Sequence, residues 1–532
     1  MRTPLRDQKY ILTFSHRFRF VFCQLEALRP CLPPSVRRTL NELPESLDET
    51  YERILREIPK SNRIYTHRLL QCLTVAIRPL CVEELGEVLA VDFDATGGIP
   101  KLDENLRWED QEQAVLSACS SLIAVVEDAR VVQFSHFSVK EYLTSNRLAT
   151  SKIDSSRYHH ILLEPSHTIM AQACLGVLLR LDSHVDRDSL ENFPLALYAA
   201  EHFGAHAEFE NVLAYISNGI DDLLDADKPH FSAWLRVRKR NHESYFAYPE
   251  RPEAAPLYHV AGFGFRGMVD YLISKRPEDL TVRGHYGAPL HIALYNGHAD
   301  VALLLLRHCV DVDVRGVDDR TPLHLAANSG LLEVTRILIE RHADINARDS
   351  SSMTPLHILL AGSGFPRTSF DEYFEVVRYL LEHGAEVDAQ ANISNSTPLH
   401  AASWFGGVKA AQLLLEHGAK VNARNEEGCT PLLRSLIGLD DTFSDSYFGA
   451  IRLLLEHGAD VNTQDNDQST PLHVASNYGS LKAAKLLLEH GASVHLQNNE
   501  GQTPFQVASK NGHEEITRLL SEHLKNFNAE RI

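Results

Sequence analysis

At 532 residues the chain is long enough for about three to five domains, so a single small domain is excluded. Apolar residues make up 44% and charged residues 23%, which is ordinary for a folded protein and unlike a low-complexity one. The formal net charge is −19 and both halves are acidic, which argues against a nucleic-acid partner. The one basic stretch, residues 1–40, is short enough to be a solvated helix face.

The cysteines are scattered and form no C-x-x-C pair, which indicates neither a disulfide framework nor a structural metal. No apolar run approaches the roughly 18 to 20 residues that a membrane-spanning helix needs. We therefore expect a cytoplasmic protein with no membrane contact, no metal and no cofactor. The sequence leaves the oligomeric state open.

The first half begins with helical patterns and then changes to β-branched runs. The predicted helices are residues 35–60, Arg63–Ala76, Val82–Leu89 and Gln111–Ala118. Leu122–Val126 and Arg130–Phe134 then predict a hairpin. Helices followed by a hairpin suggest a winged helix, so we assign residues 1–60 to a helical segment, 61–150 to a winged-helix-like domain and 151–250 to a helical connector. The segment Tyr248–Glu253, with two prolines, predicts a junction.

Three segments of this half resemble the region that follows the nucleotide-binding core in NACHT-type signalling ATPases. They are Leu43–Leu55, Leu69–Leu89 and Phe134–Leu143. The resemblance implies the end of a NACHT module in 1–60, a winged helix, and a role in NLR-like non-self recognition and signalling; fungal members often carry ankyrin tails. The chain departs from that family because it contains no P-loop motif, so ATP hydrolysis is not carried over.

For His136, the resemblance implies a possible contact with the phosphates of a nucleotide. In the family, a histidine at the matching place faces the phosphates of bound ADP. Without a P-loop a phosphate here would lack most of its ligands, so a role for His136 in helix capping or the core is the favoured alternative.

The second half contains an internal repeat marked by the motif T-P-L-H. The repeat prolines are Pro256, Pro289, Pro322, Pro355, Pro398, Pro431, Pro471 and Pro504. Five of the seven intervals are 33 residues, and the other two contain insertions, near 362–371 and 438–447. Pro suits the first position of a helix, and a glycine eight residues later predicts the turn into a second helix.

The period and motif resemble the ankyrin repeat, which implies an α-solenoid of about eight repeats over residues 254–532. The expected fold class is mainly α, with a helical and winged-helix N-terminal region before the solenoid. Two motifs receive structural interpretations. Gly262–Gly267 matches a dinucleotide fingerprint but lies in the repeat register, and the T-P-L-H histidines are too far apart to share a metal.

Ankyrin solenoids bind proteins on the concave side, and the repeat register nominates the residues. The ends of the first helices present Tyr295, Asn328, Trp404, Phe405, Asn477 and Tyr478, and the hairpin tips present Asp318, Asp319, Asp465 and Asp467. Exposed aromatic residues favour protein partners, and acidic tips favour a partly basic one. The alternative is that Trp404 and Phe405 fill the groove to the next repeat.

The leading hypothesis is therefore a non-enzymatic scaffold or sensor that binds a protein partner. Two rivals stay open. One is a fragment of a nucleotide-regulated NACHT ATPase whose P-loop lies outside this chain. The other is a winged-helix DNA-binding regulator, although its candidate recognition helix, 111–121, has no Lys or Arg.

Overall fold

A computed structural model describes residues 46–95, 98–119, 121–126, 128–182, 185–225, 227–239, 254–308, 310–361, 370–392, 394–437 and 444–529. These residues form two compact units, which divide between Pro256 and Leu257, and each has its own buried core. The basic stretch 1–40, the junction 248–253 and most of the two inserted loops lie outside the described residues.

The first unit is mostly helical. Its first described helix begins at Leu47, where Ser46 caps it through a reciprocal box with Glu49. Of the helix predicted over 35–60, Leu47–Glu57 is helical, and residues 35–45 lie outside the described residues. The helices are α1 (Leu47–Glu57), α2 (Arg63–Val75), α3 (Val82–Leu89), α4 (Gln111–Cys119), α5 (Phe137–Leu143), α6 (Asn146–Ala149), α7 (Asp154–Arg157), α8 (Leu163–Leu178), α9 (Arg187–Leu190), α10 (Ala196–Ala207), α11 (Val212–Leu223) and α12 (Pro229–Lys239).

A small sheet and three helices make the winged helix. Strands β1 (Leu80–Cys81), β4 (Ile123–Val126) and β5 (Val131–Phe134) form an antiparallel sheet in the order β1-β5-β4. Helices α2, α3 and α4 contact one another beside it. A second ribbon pairs β2 (Val91–Asp92) with β3 (Lys101–Leu102). The predicted hairpin and the winged helix are confirmed.

A buried ion pair joins this winged helix to the helices that follow it in the first unit. Glu87 of α3 is almost fully buried, and it accepts hydrogen bonds from Arg107 at 2.7 Å and from the backbone N–H of Leu195 at 2.6 Å. Burial raises the pKa of the Glu87 carboxyl to about 7. The carboxyl of Glu87 is therefore a group inside the core of the first unit that titrates near neutral pH.

The second unit is a stack of helix pairs, and eight pairs lie within its described residues, as the mainly α solenoid assignment predicts. In each pair a short first helix starts at the repeat proline. The pairs are α13 (Pro256–Phe263) with α14 (Arg266–Lys275), α15 (Pro289–Tyr295) with α16 (Ala299–Arg307), α17 (Pro322–Asn328) with α18 (Leu332–Glu340), α19 (Pro355–Ala361) with α20 (Phe370–Glu382), α21 (Pro398–Trp404) with α22 (Val408–Glu416), α23 (Pro431–Ile437) with α24 (Ser444–Glu456), α25 (Pro471–Asn477) with α26 (Leu481–Glu489), and α27 (Pro504–Lys510) with α28 (Glu514–Ala529).

The turn between the two helices of a pair follows the sequence prediction. Gly264 has φ +79°, a left-handed conformation, and it links α13 to α14. The segment Gly262–Gly267 thus spans the turn between two helices and directly follows helix residues rather than a strand, so it lacks the context of a dinucleotide site.

Candidate protein-binding face

The T-P-L-H motif builds the start of the first helix in the repeats that carry it. In the repeat of Thr397, the Nδ1 of His400 accepts both the Thr397 backbone N–H, at 3.2 Å, and the Thr397 hydroxyl, at 2.9 Å. The histidine thus takes the place that Glu or Gln holds in a capping box. In the repeats of Thr354 and Thr470 the threonine hydroxyl also accepts the backbone N–H of the histidine, at 3.4 Å, so the capping box is reciprocal.

The other ring nitrogen joins neighbouring repeats. Since Nδ1 accepts a backbone N–H, the proton is on Nε2, which in His400 donates to the carbonyl of Cys429 at 3.0 Å. The same bond recurs in four other repeats, from His291, His324, His357 and His473 to Val314, Met353, Ser396 and Gln502 respectively. Burial lowers the pKa of His357 and His400 to about 4, so both rings are neutral at pH 7. These histidines therefore form hydrogen bonds both within a repeat and between neighbouring repeats.

The hairpin tips of consecutive repeats are also joined, by backbone hydrogen bonds that the sequence analysis missed. One N–H of each tip donates to a carbonyl of the tip before it. The pairs are 317 to 286, 350 to 318, 392 to 351, 426 to 394, 466 to 427 and 499 to 467. Such backbone bonds leave no side-chain signature. They fix the spacing of the first helices and hence of the side chains at their ends.

The predicted partner residues stand at the ends of the first helices. Tyr295 and Asn328 are the last residues of α15 and α17, while Phe405 and Tyr478 directly follow α21 and α25. Tyr295 is 38% exposed, Phe405 43% and Tyr478 52%, and Asn328 and Asn477 are exposed as well. From α15 to α27, each first helix contacts the next along the stack. These five residues therefore lie along one row, which we call the first-helix edge.

Trp404 and Phe405 are adjacent in the chain but differ in their exposure to solvent. Trp404 is half-buried, and the guanidinium of Arg434, in the first helix of the next repeat, lies 4.1 Å from its ring centre. This cation–π contact packs Trp404 between two repeats. The groove-filling alternative therefore describes Trp404, whereas Phe405 points to solvent.

The acidic tip residues also divide into two groups. Asp318, Asp319 and Asp467 are exposed. Asp465 is half-buried, and its carboxylate accepts the backbone N–H groups of Asp467 and Ser469 at 2.9 and 2.8 Å. Asp465 thus shapes its own hairpin and is placed to hold that turn together rather than to meet a partner.

In the winged helix, His136 is the N-cap of α5. Its Nδ1 accepts the Ser138 backbone N–H at 3.2 Å and lies 2.6 Å from the Ser138 hydroxyl. The same hydroxyl is 2.8 Å from the phenol oxygen of Tyr51, so the cap is tied to α1. The Nδ1 of His136 is therefore engaged in capping α5, the role that the sequence analysis favours for this residue.

Comparisons with known proteins agree with this geometry. Residues 257–349, 290–391, 349–425 and 444–531 match the family described as "Ankyrin repeats (3 copies)". The repeats are ankyrin repeats. Residues 55–153 match the family described as "GPI inositol-deacylase, winged helix domain". Ankyrin repeats support a role in protein interaction.

One curated relative is similar to about half of the chain. It is "Azaphilone pigments biosynthesis cluster protein L" of Monascus ruber, which is 30% identical over 296 residues. The alignment covers 51% of this chain and 61% of that protein.

Within the described residues, no group of three or more His, Cys, Asp or Glu side chains is placed to hold a metal ion. Among the described helices, none is both long and apolar enough to cross a bilayer.

Proposed function

We propose that the protein is a non-enzymatic scaffold or sensor that binds a protein partner through the first-helix edge of its ankyrin repeats. The observation that carries this proposal is the row of exposed Tyr295, Phe405 and Tyr478 on a rigid stack. Aromatic side chains that are already held in place lose little entropy on binding, and they are favoured anchors at interfaces. The exposed carboxylates at the neighbouring tips favour a partner with basic residues next to an apolar patch.

Capture of partners from an extract of the source cells tests this proposal. The double variant Phe405→Ala/Tyr478→Ala should reduce capture of the bound protein at least tenfold, because each lost aromatic anchor costs about 1 to 2 kcal/mol. Neither side chain is in the core, so the variant should keep the thermal stability of the wild type.

A matched control lies on the second helices. Arg452 and Lys485 are exposed there, on α24 and α26, and Arg452→Ala/Lys485→Ala should capture the same protein at the wild-type level. Equal capture by the wild type and the Phe405→Ala/Tyr478→Ala variant would refute the assignment of this edge.

We further propose that the binding serves NLR-like recognition or signalling in the cytoplasm. The winged-helix match at 55–153 next to ankyrin repeats supports this pairing of domains. The described cysteines, Cys72, Cys81, Cys174 and Cys429, are all free thiols, in keeping with a reducing compartment.

The same winged-helix match favours a second candidate, a fragment of a NACHT-type ATPase whose P-loop lies outside this chain. Reading the gene upstream of Met1 for a Walker motif tests it. The DNA-binding rival has less support. Helix α4 carries an acidic residue, Glu112. The nearby Arg130 is already paired with Glu83, at 2.7 Å, and with Glu112, at 3.0 Å, which leaves less positive charge for a phosphate backbone.

A further inference from the structure

A cleft of about 500 Å³ opens on the first unit, between α2 and α8, with one wall residue from α11. Its apolar lining is Ile64, Pro165, Ile169 and Tyr215, and its polar lining is His67, Arg68, Gln71, Glu164 and Thr168. This volume and this mixture, a mainly apolar surface with a few polar groups, are typical of small-molecule sites.

Two residues of the polar lining are well shielded from solvent. Gln71 is only 5% exposed. The Nδ1 of His67 is buried and has no hydrogen-bond partner among the described residues. Burial lowers the pKa of His67 to about 4, so the ring is neutral. Buried polar atoms of native proteins are nearly always hydrogen-bonded, so the unpaired Nδ1 of His67 is unusual for a residue that lines a cleft.

Two opposite charges line the same cleft without pairing. Arg68 of α2 and Glu164 of α8 are not within 4.0 Å of each other, and in the described part of the chain Arg68 has no carboxylate partner. The Arg68 guanidinium lies over the Phe93 ring, 4.3 Å from its centre. The Glu164 carboxylate accepts one long hydrogen bond, from the Asn211 amide at 3.4 Å. One wall therefore carries a cation that has a ring contact but no carboxylate partner among the described residues, and the other carries a weakly bonded anion.

We propose that this cleft binds a free apolar L-amino acid. Its carboxylate would bind Arg68 and the Gln71 amide, its ammonium group would bind Glu164, and its side chain would lie against Ile64 and Ile169. A zwitterion neutralises both walls at once. A plain carboxylic acid would leave Glu164 without a cation, and a phosphate ester would be repelled by it, so those chemistries fit the lining less well.

Calorimetric titration of the full chain with three small probes tests the proposal. The probes are L-leucine, 4-methylpentanoate, which is leucine without its amino group, and 3-methylbutylamine, which is leucine without its carboxylate. L-Leucine should bind at least about tenfold more tightly than either analogue, since each analogue loses a charge-assisted hydrogen bond. No heat from L-leucine at millimolar concentration, or equal affinity for leucine and an analogue, would overturn the proposal.

Two substitutions locate the binding within the cleft. Glu164→Gln should reduce leucine affinity about tenfold and leave that of 4-methylpentanoate unchanged, whereas Arg68→Gln should reduce both. Arg56 of α1 is exposed and outside the cleft, so Arg56→Gln should bind leucine like the wild type. Leucine binding that neither cleft variant changes would overturn the assignment. The comparison of probes on the wild type stays decisive even where a variant fails to fold.

Discussion

Gly428→Ala is expected to lower the free energy of unfolding of the ankyrin stack by about 3 kcal/mol. Gly428 has φ +70°, and a Cβ atom on it would lie 2.5 Å from Oδ1 and 2.9 Å from the backbone N of Asn466 in the next hairpin. That N–H donates to the Glu427 carbonyl at 3.0 Å, so the added methyl group would break the bond between the two tips. Backbone cannot move aside as a flexible side chain can, which is why the effect should be large.

Gly501 offers a matched control for this substitution. It holds the corresponding place in the last hairpin, with a nearly identical φ of +72°, but nothing lies within 4 Å of its added Cβ. Gly501→Ala should therefore lower the free energy of unfolding only by the cost of the left-handed backbone conformation, about 1 kcal/mol. Urea unfolding of both variants measures the difference, and hydrogen exchange at the amide of Asn466 localises it. Equal destabilisation by the two changes would mean that contact between tips adds nothing.

Acidification is expected to weaken the ankyrin stack through its buried histidines. The pKa of His357 and of His400 is lowered from 6.5 to about 4 by burial, so the folded state binds fewer protons than the unfolded state between these values. The stability these rings provide is complete above pH 6.5 and is lost as the pH falls towards 4. Protonation linked to each ring should lower the free energy of unfolding by about 2 kcal/mol when the pH falls from 7 to 5.

A substitution isolates this contribution from the other titrating groups. Gln506 replaces the histidine naturally in the last repeat, where its Oε1 accepts the Thr503 N–H at 2.9 Å. His400→Gln should therefore keep the cap but remove the titratable ring. The urea midpoint of this variant should fall less between pH 7 and pH 5 than the midpoint of the wild type. Glu87 acts in the opposite direction, because its folded pKa of about 7 favours the folded state at low pH. The same pH profile in variant and wild type would refute the role of His400.

The second unit could be predicted well from the sequence because the side chains that set the helix starts and turns recur in each repeat. Proline sets the helix start, glycine the turn, and the T-P-L-H histidine can only be satisfied by a cap and a neighbouring carbonyl. The boundaries of the first helices follow directly. In the first unit, the hairpin was visible from its β-branched runs, and Ser46 and Glu49 have the spacing of the capping box that they form at the start of α1.

The features that the sequence did not predict depend on contacts between distant segments. Trp404 and Phe405 are adjacent and similar in sequence, and only Arg434 of the next repeat decides which of them is covered. The bond that the Asp467 N–H donates to the Asp465 carboxylate likewise depends on the turn geometry. The cleft beside Gln71 needs α2, α8 and α11 to come together, and their residues are about 50 to 150 positions apart. Tertiary packing of this kind has no local pattern.

Photocrosslinking tests the central claim, binding of a protein partner at the first-helix edge, most directly. A photoreactive benzoylphenylalanine would be placed singly at Phe405, at Tyr478 and, as the control on a second helix, at Lys485. Irradiation in extract of the source cells should join the same protein to positions 405 and 478 and leave position 485 without an adduct. An adduct formed only at position 485, or equally at all three positions, would contradict the account.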